Sequence, residues 1–336
     1  MAPYRADLND MPPSGQSNFC LSFVEMDVLV EFGERASGQS SSSGDERRPL
    51  LWIASTVEGT GYNDGVRWSV VEEFVETKID GRVCEDLVVV TDSYALVIDG
   101  ASDATGMDFG GRSGGQLAAE TIQLAFKGMD PHATAREVVD ELSAQLAKAV
   151  GDLSPSVRWP AATVVCLSLS RNEIWRVGDG SFVVDGEPNI GLLRVNEVKS
   201  DFRAAVNTAL MASGIEQSEI LMDDPGAALA LALTNVQQHL SNRPGPWGYG
   251  VINGGAVPDE FLEIFELPIS VGEVVLASDG YPDPLATLGE SETRLHQLLR
   301  QDPAAIGELA AGGKPLREGA NSVDDRAYLR LRRVAP

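Results

Sequence analysis

Runs of β-branched and apolar residues along this chain end in Asp-Gly, among them ALVI into Asp99-Gly100, WRVG into Asp179-Gly180, and VVLAS into Asp279-Gly280. Twice more, acids open such a run: Glu85-Asp86 before LVVV, and Asp324-Asp325 before RAYLRL. A sheet gathers the ends of its strands along one edge, so carboxylates at the ends of several strands converge on one spot. Carboxylates a few ångströms apart repel strongly unless cations sit between them. A site built from oxygen alone is what Mg²⁺ and Mn²⁺ prefer.

The remaining pattern supplies strands in runs with helices grouped between them. Short β-branched segments bounded by Gly, Asp, Asn or Pro lie at 69–78, 86–90, 94–98, 163–169, 173–177, 182–184, 262–267 and 273–277, and an alternating one at 326–334. A helix opens after the Gly-rich turn near Ser113 and runs over 117–126; Val138, Val139, Leu142, Leu146 and Val150 form a second helical stripe. Phe202, Ala205, Val206, Ala209 and Leu210 form a third, followed by an Ala/Leu-rich segment over 227–240 and two short helices near 293–299 and 304–310. This order favours an α+β arrangement over regular βαβ alternation. Residues 1–50 read as an appendage: Pro- and Ser/Gly-rich stretches flank a segment at 20–32 with strand character, and the second unit is 51–336.

Composition narrows the partners. With 26 Lys+Arg against 50 Asp+Glu the net charge is −24, which repels phosphate backbones and anionic lipid and excludes nucleic acid and membrane surfaces as expected partners. No apolar run approaches the roughly 18 residues of a membrane span, and residues 1–10 lack the basic-then-apolar layout of a signal peptide. The expectation is a soluble, cytoplasmic protein. Cys20, Cys84 and Cys166 are too scattered for a disulfide framework or a zinc cluster. His132, His239 and His296 lie away from every Asp-Gly pair, so a zinc site or a histidine-based triad lacks material.

Asp-Gly is also the commonest short hairpin turn, and EIWRV-GDGS-FVVDG around Asp179 reads as such a hairpin. Asp99 is different, because a long Gly-rich loop follows it, and after Asp279 the sequence Tyr281-Pro282-Asp283-Pro284 does not pair as a strand. The Gly-rich loop 106–115 carries no Gly-Lys-Ser/Thr and is not a nucleotide phosphate loop.

The collinear set is recognisable: Glu-Asp, strand-Asp-Gly, a Gly-Gly helix start, Ala162-Thr163 opening a strand, Val-Gly-Asp, strand-Ser-Asp-Gly, and a final Asp-Asp strand. Over about 70–334 it resembles the bacterial form of the metal-dependent type 2C protein serine/threonine phosphatases. The resemblance implies a four-layer αββα sandwich, two antiparallel sheets flanked by helices with a metal site at one end. It matches Asp86 and Asp99 to metal-bridging acids, Gly100 to a carbonyl ligand, Asp279 and Asp324 to the other acids of a binuclear centre, and Glu85 to an acid that binds metal through water. Asp179, with Asp279, matches the holder of a third ion.

The chain departs from the family where phosphate is gripped. Many members have Arg four residues before the Glu; here that place is Gly81, with Arg82 next to it, so Arg82 or Arg112 is left for the role. Cys84 and Asp325 stand where Asn is usual, Gly180 where Ser is usual, and Ala101 where eukaryotic members have His. The implied activity is hydrolysis of phosphoserine or phosphothreonine on a phosphorylated protein. Water activated by Mn²⁺ or Mg²⁺ attacks, and Asp86, Asp99, Asp279 and Arg82 are the catalytic residues. Two alternatives stay open: a catalytically silent metal-binding regulator, and a phosphatase of a small phosphorylated metabolite with a pocket from residues 196–245.

Overall fold

The computed structural model describes residues 67–101, 107–151, 160–310 and 314–334. The calls on residues 1–50, including the strand-like segment at 20–32, lie outside the described residues, as does part of the Gly-rich loop. Among the described residues ten strands form two five-stranded sheets. The first has the order β1 (Arg67–Glu76), β10 (Arg326–Val334), β9 (Glu273–Ala277), β6 (Ser181–Val184), β7 (Glu187–Asn189). The second runs β2 (Leu87–Val90), β3 (Tyr94–Gly100), β4 (Ala162–Ser168), β5 (Glu173–Val177), β8 (Glu263–Glu266). Every pair is antiparallel.

The two-residue period of a strand explains the layering. In β3, Ala95 and Val97 point to the space between the sheets, where they meet Val165, Leu167 and Ile174 from their own sheet and Phe182, Val274, Leu276, Ala327 and Leu329 from the other. The intervening Leu96 and Ile98 face outward onto α1 (Gly114–Phe126) and α2 (Ala135–Val150), through Ile122, Phe126, Val138, Val139, Leu142 and Leu146. Beyond the first sheet, Val275, Ala277 and Tyr328 pack against Leu295, Leu298 and Leu299 of a further helix, Leu288–Gln301. Strands apolar on both faces are thus buried on both faces, and the result is the expected αββα sandwich. No helix among the described residues is long and apolar enough to cross a membrane.

Three local expectations are corrected. The Gly178-Asp179-Gly180 segment is not a hairpin: β5 belongs to the second sheet and β6 to the first, so the turn carries the chain from one layer to the other. The actual Asp-Gly hairpin comes next, with Asp185 and Gly186 both at positive φ between β6 and β7.

The third helical stripe also differs. Helix α3 (Arg194–Ala212) buries Val195, Ser200, Arg203, Ala204 and Asn207, while Phe202 is 49% exposed. Arg203 donates to Asp224, to Ala304 O at 2.8 Å and to Ala305 O at 2.7 Å, and Asn207 donates to Asp224 at 2.8 Å. A polar face satisfied so fully packs inward at the expense of the apolar one. Two further helices follow, α4 (Gln217–Asp223) and α5 (Pro225–Val236), so the helix Leu288–Gln301 is α6. Residues 304–310 form turns and not an α-helix, because the Asp302 carboxylate accepts from the backbone of Ile306, Gly307 and Leu309.

Candidate metal centre

Antiparallel register places the acids. In the second sheet Leu87 pairs with Ile98, Gly100 with Ala162, and Val164 with Val177, so Asp86, Asp99 and the turn holding Asp179 share one edge. In the first, Glu76 pairs with Arg326, Tyr328 with Ala277, and Ala277 with Ser181, which brings Asp279 and Asp324 to the end where β6 begins. The Asp179 crossover makes these two edges the same end of the sandwich.

Two close approaches keep it tight. A Cβ on Gly280 would stand 2.0 Å from the carbonyl oxygen of Asp325. Only glycine therefore lets the Asp279 turn lie against the start of β10. A Cβ on Gly100 would stand 2.6 Å from Gly115 O and 2.7 Å from Glu85 O, so β3 meets the first turn of α1 through backbone alone.

Asp86 and Asp179 are buried, Asp99 and Asp324 half-buried, and Asp279 keeps exposed surface at the mouth. The acids feel one another. Burial first, opposed by a Ser278 hydrogen bond and reinforced by Asp279, Asp324 and Asp325, holds the Asp86 carboxyl well above its ordinary range. Burial and then Asp279, Asp86, Asp179 and Asp324 do the same at Asp99. Asp179 is raised chiefly by burial, and Asn196 Nδ2 donates to its Oδ2 at 3.4 Å. Protein crowded around the carboxyl, then Asp324 and Asp179, push Asp279 up to about 7, and it shares a hydrogen bond with Asp99. Asp324 goes the other way: burial would raise it, but Lys314 and Lys78 hold it at about 2.

Glu85 is clamped rather than free. Its carboxylate accepts from the Ser113 hydroxyl, the same group that caps α1 by accepting from Gln116 N at 3.1 Å. Its backbone N donates to Asp325 Oδ2 at 2.8 Å, and its carbonyl accepts from Gly100 N at 3.2 Å. Asp325 accepts through Oδ1 from Lys78 N at 2.9 Å. It works as a clip between β1, the Glu85 loop and β10.

Both arginines expected at phosphate lie on the surface. Arg82 is exposed, its backbone N closing a turn on Ile79 O at 3.2 Å, and Arg112 pairs with Glu120 at 2.9 Å on the surface. Burial, then Asp86 and Asp325, push the Cys84 thiol up to about 12, which leaves it protonated and unreactive.

Sequence reasoning missed Lys78, Lys314, Asn196 and the clip role of Asp325. Lys78 had a signal: extending the Glu76–Arg326 pairing by two residues sets Lys78 opposite Asp324. Lys314 had none.

Among the described residues no three His, Cys, Asp or Glu side chains stand ready as a closed ligand cage. The donors nonetheless fit a hard divalent ion. They are oxygen throughout, and Asp86 Oδ2 is buried with no hydrogen-bond partner, a state that costs free energy unless something charged or protic meets it.

No protein-family profile matches the chain, and no curated protein matches it. Several solved structures are similar to the chain. They include the catalytic domain of the serine/threonine phosphatase PstP in complex with two manganese ions, at 16% identity over 80% of this chain and 98% of that one, TM-score 0.41. RsbX in complex with magnesium is 10% identical over 81% and 98%, TM-score 0.38. The PPM phosphatase MsPP from Mycobacterium smegmatis with cacodylate is 14% identical over 79% and 97%, TM-score 0.39. Similarity at this level assigns no residue a role.

Proposed function

We propose that this chain is a Mn²⁺- or Mg²⁺-dependent phosphomonoester hydrolase acting on phosphoserine and phosphothreonine in proteins. The observation that carries the reading is the convergence of Asp86, Asp99, Asp179, Asp279 and Asp324 from both sheets at one end. Asp86, Asp99, Asp279, Asp324 and the Gly100 carbonyl would hold two ions, with Glu85 binding through water and Asp179 beside Asp279 for a further one. Divalent ions there would supply a water of lowered pKa and charge for the phosphoryl oxygens.

The chain's own residues hold the frame. Ser113 orients Glu85, Asp325 fixes the Glu85 loop to β10, Ser278 donates to Asp86, and Asn196 steadies Asp179. Among the described residues no cysteine thiolate or histidine is positioned to form a phosphoenzyme, so direct attack by water suits the site. Arg82, exposed and beside the Glu85 loop, is the group able to swing toward a bound phosphate.

A panel tests this: full-length protein with para-nitrophenyl phosphate, a phosphopeptide and phosphorylated metabolites, in Mn²⁺ or EDTA. Turnover of the phosphopeptide that EDTA abolishes is the expected result. Preference for a metabolite would move the substrate class. Mn²⁺ binding without turnover of any ester would establish the silent regulator, a reading favoured by the surface pairing of Arg112 with Glu120.

A further inference from the structure

Among the described residues the cations paired with Asp324 are lysines. Lys78 Nζ lies 2.7 Å from Asp324 Oδ1 and 3.7 Å from Asp325 Oδ1, and Lys314 Nζ pairs with Asp324 Oδ2. Both oxygens of Asp324 are therefore committed to ammonium groups. The Lys78 and Asp324 side chains are only 22% and 20% exposed, so this pair is screened less than a surface one.

The neighbouring acids are in another state. Asp86 keeps a buried, unpartnered oxygen, and Asp99 and Asp279 stand at the same end of the sandwich with no ammonium group paired to them among the described residues. Two ammonium groups carry the charge of one divalent ion, but each offers only N–H donors and no open coordination position.

We propose that Lys78 and Lys314 together replace one divalent ion at Asp324, so that the chain loads a single tightly held ion at Asp86, Asp99 and Asp279. This rests on the metal-dependent reading above and narrows it: the ion count falls, and the lost charge is supplied by the protein itself. A divalent ion at Asp324 would have to displace two ammonium groups already in contact, while one at Asp86 meets an oxygen with no partner to lose.

The test is Mn²⁺ binding to the chelated full-length protein, by equilibrium dialysis and calorimetry, with electron paramagnetic resonance of the bound ion. The wild type is expected to hold one tight Mn²⁺ per chain with the spectrum of an isolated ion. Lys314→Gln, and more so the Lys78→Gln/Lys314→Gln pair, is expected to gain a second ion, tightened at least about 10-fold, and a spin-coupled signal. Two tight, coupled ions in the wild type, unchanged in the variants, would overturn the proposal. No Mn²⁺ in the wild type would overturn the metal-dependent reading too, and a count of zero distinguishes that failure from a count of two. If the double variant does not fold, the wild-type count and the single variant at half-exposed Lys314 decide.

Discussion

Asp86 presents the sharpest residue-scale consequence, because its carboxyl is buried, crowded by acids and left with one oxygen unpartnered. An acid raised above its unfolded value stabilises fully below that value, here 3.8, and the contribution is lost as pH climbs through the folded value. Asp99 and Asp279 act in the same direction, Asp279 through about 7. Solvent contact screens the share of Asp279, so Asp86 is the better probe. The chelated protein should therefore melt at a lower temperature at pH 8 than at pH 5, and Asp86→Asn should flatten that slope in calorimetry. An equally steep slope in the variant would exclude Asp86 as a source. For Asp99→Asn and Asp279→Asn, turnover of para-nitrophenyl phosphate should drop at least about 100-fold, the scale of a lost key electrostatic group. Near wild-type rates in both would leave these acids as turn residues only.

At the scale of elements, α3 is held by hydrogen bonds where an apolar stripe was expected. Arg203 is 1% exposed and links Asp224 to the carbonyls of Ala304 and Ala305, tying α3 both to the start of α5 and to the turns after α6. Replacing it with Leu keeps volume but strands the Asp224 charge and two carbonyls. Loss of one partner from a buried pair typically costs on the order of 3–5 kcal/mol, and urea denaturation of Arg203→Leu should show a loss of that size. A change below about 1 kcal/mol would mean that water or another cation takes over, as for surface pairs.

For the whole molecule, net charge of −24 and a cluster of acids at one end make cations the natural stabiliser. Anything that binds the folded state alone raises its melting temperature by mass action. Mn²⁺ should therefore raise the melting temperature of the chelated chain, and EDTA should return it. The same scale governs the first 50 residues. The three apolar cores among the described residues lie between Trp68 and Leu331, so a chain beginning at Leu51 should remain soluble, keep its circular dichroism and bind Mn²⁺. Aggregation of that shortened chain would show that the missing segment covers part of the sandwich.

What local chemistry decides was readable from the residues. Strands β5, β9 and β10 have the limits expected at 173–177, 273–277 and 326–334, because β-branched runs bounded by turn residues mark themselves. The Ser113 cap likewise announced α1, and acids at strand ends announced that carboxylates would gather. The tertiary structure decided the rest. Gly178-Asp179-Gly180 has the same turn chemistry whether it closes a hairpin or crosses between sheets, and only the packing of two layers selects the crossing. The buried face of α3 depends on carbonyls about 100 residues further on, which no helical period encodes. Lys314 meets Asp324 from ten residues away through a pairing that no strand or helix period encodes, so the charge balance of the site was hidden until the chain was folded.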